Sequence, residues 1–104
     1  MYIIVFITTS SKEEAEKIAT MIVNEGLAAC VNIIEKVTSI YKWKGNLEKD
    51  AESLLIVKTK EEKLSQLISK VKKEHSYENP EIISINITGG SEEYLEWISN
   101  CVER

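Results

Sequence analysis

The sequence predicts an α+β sandwich in which four strands and two helices run in the order β-α-β-β-α-β, followed by one extra C-terminal helix. Three observations carry this prediction. Extended apolar runs alternate with apolar stripes of helical period, a glycine-bearing turn joins two of the extended runs directly, and a length of 104 residues suits a single domain, 1–104, with one core.

Tyr2 to Ile7 is an unbroken, largely β-branched run closed by Thr8, Thr9, Ser10 and Ser11, which suits a central strand covered on both faces. Ser11 and Glu14 have capping-box spacing. Ala15, Ile18, Ala19, Ile22 and Val23 then recur on one helical face up to Gly26, the expected C′ residue. Leu27 to Ile34 and Val37 to Trp43 read as one long strand bent at the charged pair Glu35-Lys36. Lys44-Gly45-Asn46 supplies turn chemistry, with Gly and Asn tolerating positive φ, and Leu47 to Thr59 returns as the second arm of a hairpin. Thr59 and Glu62 repeat the capping-box spacing ahead of Leu64, Leu67, Ile68 and Val71, a second helix that ends near His75. Glu81 to Thr88 alternates strictly, with Ile83, Ile85 and Ile87 on one side, as a half-buried edge strand should. After Gly89-Gly90, Ser91 caps a last helix that carries Glu92 and Glu93 in its first turn and Leu95, Trp97, Ile98, Cys101 and Val102 on its apolar side.

This order is that of the ferredoxin-like split βαβ fold, with its first and third strands in the middle of the sheet. The hairpin exceeds it. Val37 to Trp43 and Leu47 to Ser53 add about seven residues to each arm, roughly 23 Å, beyond what two helices cover. An arm bearing Val37, Tyr41 and Trp43 on one face is expected to meet another copy of the chain.

Composition narrows the function. With 43% hydrophobic and 29% charged residues the chain is neither disordered nor membrane-spanning, and its formal charge of −4 offers no footprint for nucleic acid or anionic lipid. Two cysteines without a Cys-x-x-Cys pair, and an N-terminus without a signal-peptide pattern, give a cytoplasmic expectation. A single arginine, Arg104, and no glycine-rich nest argue against phosphoryl chemistry, and Ala51 to Lys58 carries none of the aromatics of an RNA-reading strand.

His75, the only histidine, stands beside Glu74 and ahead of Tyr77, Glu78 and Glu81. It is either a base or metal ligand, or a helix-end residue interacting with the last carbonyls. Glu48, Asp50 and Glu52 share one strand face, either as hard oxygen ligands for a divalent cation or as charges that keep the edge from pairing. Cys30 and Cys101 read as small packed hydrophobes.

Gly26-Leu27-Ala28-Ala29-Cys30-Val31-Asn32, Ser39-Ile40-Tyr41-Lys42-Trp43-Lys44-Gly45, Lys58-Thr59, His75-Ser76-Tyr77-Glu78-Asn79-Pro80-Glu81-Ile82 and Tyr94-Leu95-Glu96-Trp97 together resemble the CutA divalent-cation tolerance family over essentially the whole chain. The resemblance implies a homotrimer of PII-like assembly, in which Val37, Tyr41 and Trp43 reach the next subunit, and it implies no enzyme activity. The copper ligands suggested for bacterial members fall here on Ile7, Glu74 and His75, so only the histidine is kept.

The expected metal donors are therefore His75, Asp50 and Glu74, pooled by threefold symmetry, with Cu²⁺ favoured by the Irving–Williams order and no organic cofactor. The alternatives are a PII-like effector sensor with clefts between subunits near Tyr77, Glu81, Lys58 and Trp43, or a trimeric scaffold without a ligand.

Overall fold

Strand β1 (Tyr2–Thr9) sends Ile3, Val5 and Ile7 to one side of the sheet and Tyr2, Ile4 and Phe6 to the other, the consequence of its period of two. The computed structural model describes residues 1–102, so Arg104 lies outside the described residues. The other elements are α1 (Lys12–Asn24), β2 (Cys30–Trp43), β3 (Asn46–Lys60), α2 (Leu64–Glu74, entered through a 3₁₀ turn at Glu61–Lys63), β4 (Ile82–Asn86) and α3 (Glu92–Val102). All pairings are antiparallel in the order β2-β3-β1-β4. The two apolar strands take the centre, as the sequence predicts.

The main core lies on one side of this sheet. Ile3, Val5, Ile7, Leu55 and Val57 meet Ala15, Ile18 and Ile22 of α1 and Leu67 and Val71 of α2, all fully buried. At about 1.5–3 kcal/mol for each large apolar side chain, this layer is the principal stabilising term of the fold. On the opposite side α3 covers only one end of the sheet, where Ile98 and Val102 pack with Ala29 and Tyr2, and the Tyr2 hydroxyl lies 3.2 Å from Ser99 Oγ. The rest of that side is open.

Four local expectations need correction. The alternation in β4 is real, but Ile83 and Ile85 pair with Phe6 and Ile4 on the open side and stay 56% and 53% exposed, while Ile82 turns to the core. Thr59 does not cap α2; its hydroxyl donates to the Leu27 carbonyl at 2.7 Å, and the helix starts without a side-chain cap. Leu27 to Ala29 are not strand, because the N–H groups of Leu27 and Ala28 close the end of α1 on the Ile22 carbonyl, with Gly26 at φ 71° making the turn. In the hairpin, positive φ falls on Lys44 and Gly45, and Asn46 already pairs with Trp43.

The bend at Glu35-Lys36 is a β-bulge. Ile34 pairs with Leu54 and Val37 with Glu52, so β2 carries one extra residue. Its effect is positional: the bulge reverses the alternation of β2, putting Val37, Ser39 and Tyr41 on the same sheet side as Ile34, opposite Glu52, Asp50 and Glu48.

Candidate functional site

The site begins at two helix ends that meet over β1. Ser11 caps α1, its Oγ accepting the Glu14 N–H at 3.1 Å, and the Glu14 carboxylate reaches back to the N–H and hydroxyl of Ser10, each at 3.1 Å. The same carboxylate accepts the Ser76 N–H at 2.7 Å and the Ser76 hydroxyl at 3.1 Å, tying the start of α1 to the residues after α2. Burial pushes the Glu14 carboxyl up, but these four hydrogen bonds outweigh it and hold the group below its ordinary value.

His75 stops α2 by turning extended, at φ −81° and ψ 143°, and its side chain is fully buried. Its Nε2–H donates to the Thr8 carbonyl at 2.7 Å, and its Nδ1 accepts the Tyr77 N–H at 3.0 Å, with Glu14 Oε2 3.7 Å away. A carbonyl only accepts and an amide N–H only donates, so the ring is fixed as one tautomer with both nitrogens engaged. In this arrangement His75 presents no free lone pair to a metal. It positions the 76–81 loop against the end of β1.

That loop faces the hairpin across a cleft of ≈ 720 Å³, with Thr8, Ser39, Tyr41, Trp43 and Glu52 on the sheet side and Ser76, Tyr77, Glu78, Asn79 and Glu81 on the loop side. The Tyr77 hydroxyl bridges the two walls, donating to Glu52 Oε2 at 2.6 Å. Burial, and then this bond, push the Tyr77 phenol well above its ordinary value. On the arm the Tyr41 hydroxyl donates to Asp50, which pushes its phenol up to about 12. Burial and the charge of Glu52 also push the Glu81 carboxyl up.

Of the residues expected around a cleft between subunits, Tyr77, Glu81 and Trp43 also line this cleft within one chain, and Lys58 lies away from it. Lys58 and Glu52 share a face of β3 but stand six residues apart, about 20 Å along a strand. His75 lies behind the cleft wall, Glu74 is exposed on the last turn of α2, and Asp50 is occupied by Tyr41. Among the described residues no group of three or more His, Cys, Asp or Glu side chains is placed to hold a metal, so these three do not form a cage within one chain. Glu14 and Glu52 are the organising residues that sequence reasoning missed in this role. The capping-box spacing marked the first and the alternating acidic stripe marked the second, each for a local purpose.

Fold and site together define a ferredoxin-like α+β domain with an acidic and aromatic cleft at the root of an extended hairpin. The family model described as CutA1 divalent ion tolerance protein matches residues 3–101, and the chain belongs to that family. It is similar to the divalent-cation tolerance protein CutA of Thermus thermophilus, 46% identical over 91% of this chain and 92% of that one. The solved periplasmic divalent cation tolerance protein CutA of Archaeoglobus fulgidus superposes with a TM-score of 0.96 at 43% identity, covering 99% of this chain and 100% of that one. The chloroplastic protein CutA of Arabidopsis thaliana is 46% identical over 94% of this chain, which spans about half (54%) of that relative's length.

Proposed function

We propose that the chain acts as a homotrimer in divalent-cation tolerance, taking up divalent metal, Cu²⁺ before Zn²⁺ or Mn²⁺, through donors pooled between copies. The open apolar side of the sheet carries this reading. Ile83, Ile85, Ile34 and Trp43 are each at least 44% exposed and continue the face of the arm, and an apolar surface of this kind calls for a partner. The family's description supplies the divalent cation. The exposed carboxylates of Asp50 and Glu74 would supply the oxygen donors, and His75 would join them only by giving up the Tyr77 N–H.

No catalytic step or organic cofactor belongs to this reading, and the matched descriptions state no enzymatic activity. Cysteine usage favours the cytoplasm, while relatives are described as chloroplastic and periplasmic. Among the described residues no helix is long and apolar enough to cross a membrane. Light scattering after size exclusion should return three chains per particle, and Cu²⁺ calorimetry should show uptake weakened by Asp50→Asn. A monomer at micromolar concentration would refute the assembly.

A second reading, an effector sensor of PII-like type, is favoured by the ≈ 720 Å³ cleft, whose volume is that of a small-molecule site. A ligand-free scaffold is the outcome if neither metals nor small molecules bind.

A further inference from the structure

We propose that Ser53 is a positioning residue for assembly: its hydroxyl holds the β-bulge at the root of the hairpin arm, so that the face bearing Val37, Ser39 and Tyr41 is the one offered to a second copy; this rests on the homotrimer reading. Ser53 is the last residue of β3 that pairs with β1, opposite Thr9, and the arm begins beyond it. It is also the one β3 residue that faces both bulge residues, Glu35 and Lys36. The extra residue of a bulge has no place in the ladder, and its backbone groups need partners from elsewhere. Ser53 supplies one, donating its hydroxyl to the Glu35 carbonyl at 2.7 Å. Its own chain buries it to 1% exposure, so this bond is in place whether or not copies meet.

Both ends of the arm are fixed by other means. Ile34 pairs with Leu54 at the body, and at the tip the two-residue turn sets Trp43 opposite Asn46. Between these pairs β2 runs from 34 to 43 while β3 runs from 54 to 46, one residue fewer, so the arm must absorb an extra residue somewhere. Where it does so decides the face, because a one-residue change of register turns each side chain to the other side of the sheet. A bulge nearer the tip would set Lys36 against Glu52 and Thr38 against Asp50, bringing Thr38 to the open side and turning Ser39 away from it. With the bulge at the root, the whole arm shows one face. Two features distinguish the root from other places along the arm. One is the Lys12 to Glu35 ion pair at 3.5 Å, but its side chains are 46% and 70% exposed and such pairs add little. The other is the buried hydroxyl, and between Asn46 and Ser53 β3 has no other hydroxyl to offer.

Cross-strand NOEs in the full chain read the register directly. The parent should link Ser39 to Asp50 and Tyr41 to Glu48. Ser53→Ala should add a second set linking Thr38 to Asp50, and in sedimentation velocity it should form less trimer than the parent at equal concentration. Ser53→Thr keeps the hydroxyl and should show the native set alone. Deleting Lys36 from the Ser53→Ala chain removes the residue that needs placing, and should return both the native set and the trimer. A serine that only filled space in the core would not be rescued by the loss of an exposed lysine. The contact of Val5 with Val57 reports in every variant that the body of the sheet is folded. A single native set in Ser53→Ala, a second set that survives the deletion, or a mixed register with an undiminished trimer would each overturn the proposal. So would an alanine variant that fails to fold and is not recovered by the deletion. A monomeric parent overturns the homotrimer reading instead, and the NOEs still decide whether Ser53 sets the register.

Discussion

Glu14 serves as a helix-start group and as a long-range tether from one carboxylate. Its local role is written in the sequence, since Ser11 and Glu14 have capping-box spacing, although the backbone N–H it takes is that of Ser10. Its distant role is not, because nothing in the spacing of residues 10–14 announces a partner 62 residues further on. His75 shows the same limit: its chemistry is visible in the sequence, but the Thr8 carbonyl that turns it from a potential ligand into a positioning group is 67 residues away. The tether gives a pH-dependent prediction. The Glu14 carboxyl is held below its ordinary value of 4.5 in the folded chain, so its stabilisation is fully present above that value and is lost as pH falls through the lower folded one. Glu14→Gln, which removes the charge and one acceptor, should cost about 1–3 kcal/mol in urea unfolding at pH 7. The difference from the parent should narrow as pH falls below 4.5 and close once it has passed the lower folded value. The same deficit at both pH values would show that the carboxylate's charge contributes nothing.

At the scale of elements, period and turn chemistry recover most of the fold. β1 and β3 are read as central from their apolar runs, the strand bend is read from Glu35-Lys36, and the hairpin from Gly45. What period cannot give is which side of the sheet the helices occupy. Ile83 and Ile85 alternate as a buried face would, yet that face looks away from α1 and α2, and only the pairing with Ile4 and Phe6 reveals it. The hairpin turn itself is testable. A two-residue loop with φ of 51° at Lys44 and 83° at Gly45 has the type I′ form that matches strand twist. No atom lies within 4 Å of a Cβ built on Gly45, so Gly45→Ala meets conformational strain and no clash. It should lower stability by about 1 kcal/mol. Gly89 is equally open but does not need positive φ, and Gly89→Ala should stay within about 0.5 kcal/mol of the parent. Equal effects of the two substitutions would remove backbone conformation as the cause.

The whole molecule is elongated, 44 × 25 × 22 Å, because the hairpin runs on past the helices, and the arm and the open sheet face carry Ile34, Ile40, Tyr41, Trp43, Leu47, Ile83 and Ile85 exposed, while Tyr94 and Trp97 are exposed on α3. On the proposed trimer, Tyr41 and Trp43 are the anchors of the contact, aromatic groups of the kind that dominate interface energies. No metal cage forms among the described residues of one chain, so tight divalent binding needs ligands from more than one copy, and metal uptake and assembly must then be linked. The linkage is reciprocal. A Tyr41→Ala, Trp43→Ala double variant, diluted until it sediments as a monomer, should lose its high-affinity Cu²⁺ binding. Added Cu²⁺ should in turn drive the same variant back toward the trimer, since metal at a hundred times its Kd adds about 2.7 kcal/mol to whichever state binds it. EDTA should reverse the shift, and Asp50→Asn in the same background should abolish it. Sedimentation velocity with and without Cu²⁺ reads both directions of the linkage in one experiment. A monomeric variant that still binds Cu²⁺ as tightly as the parent would mean that a single chain holds the metal and that pooling between copies has no part in it.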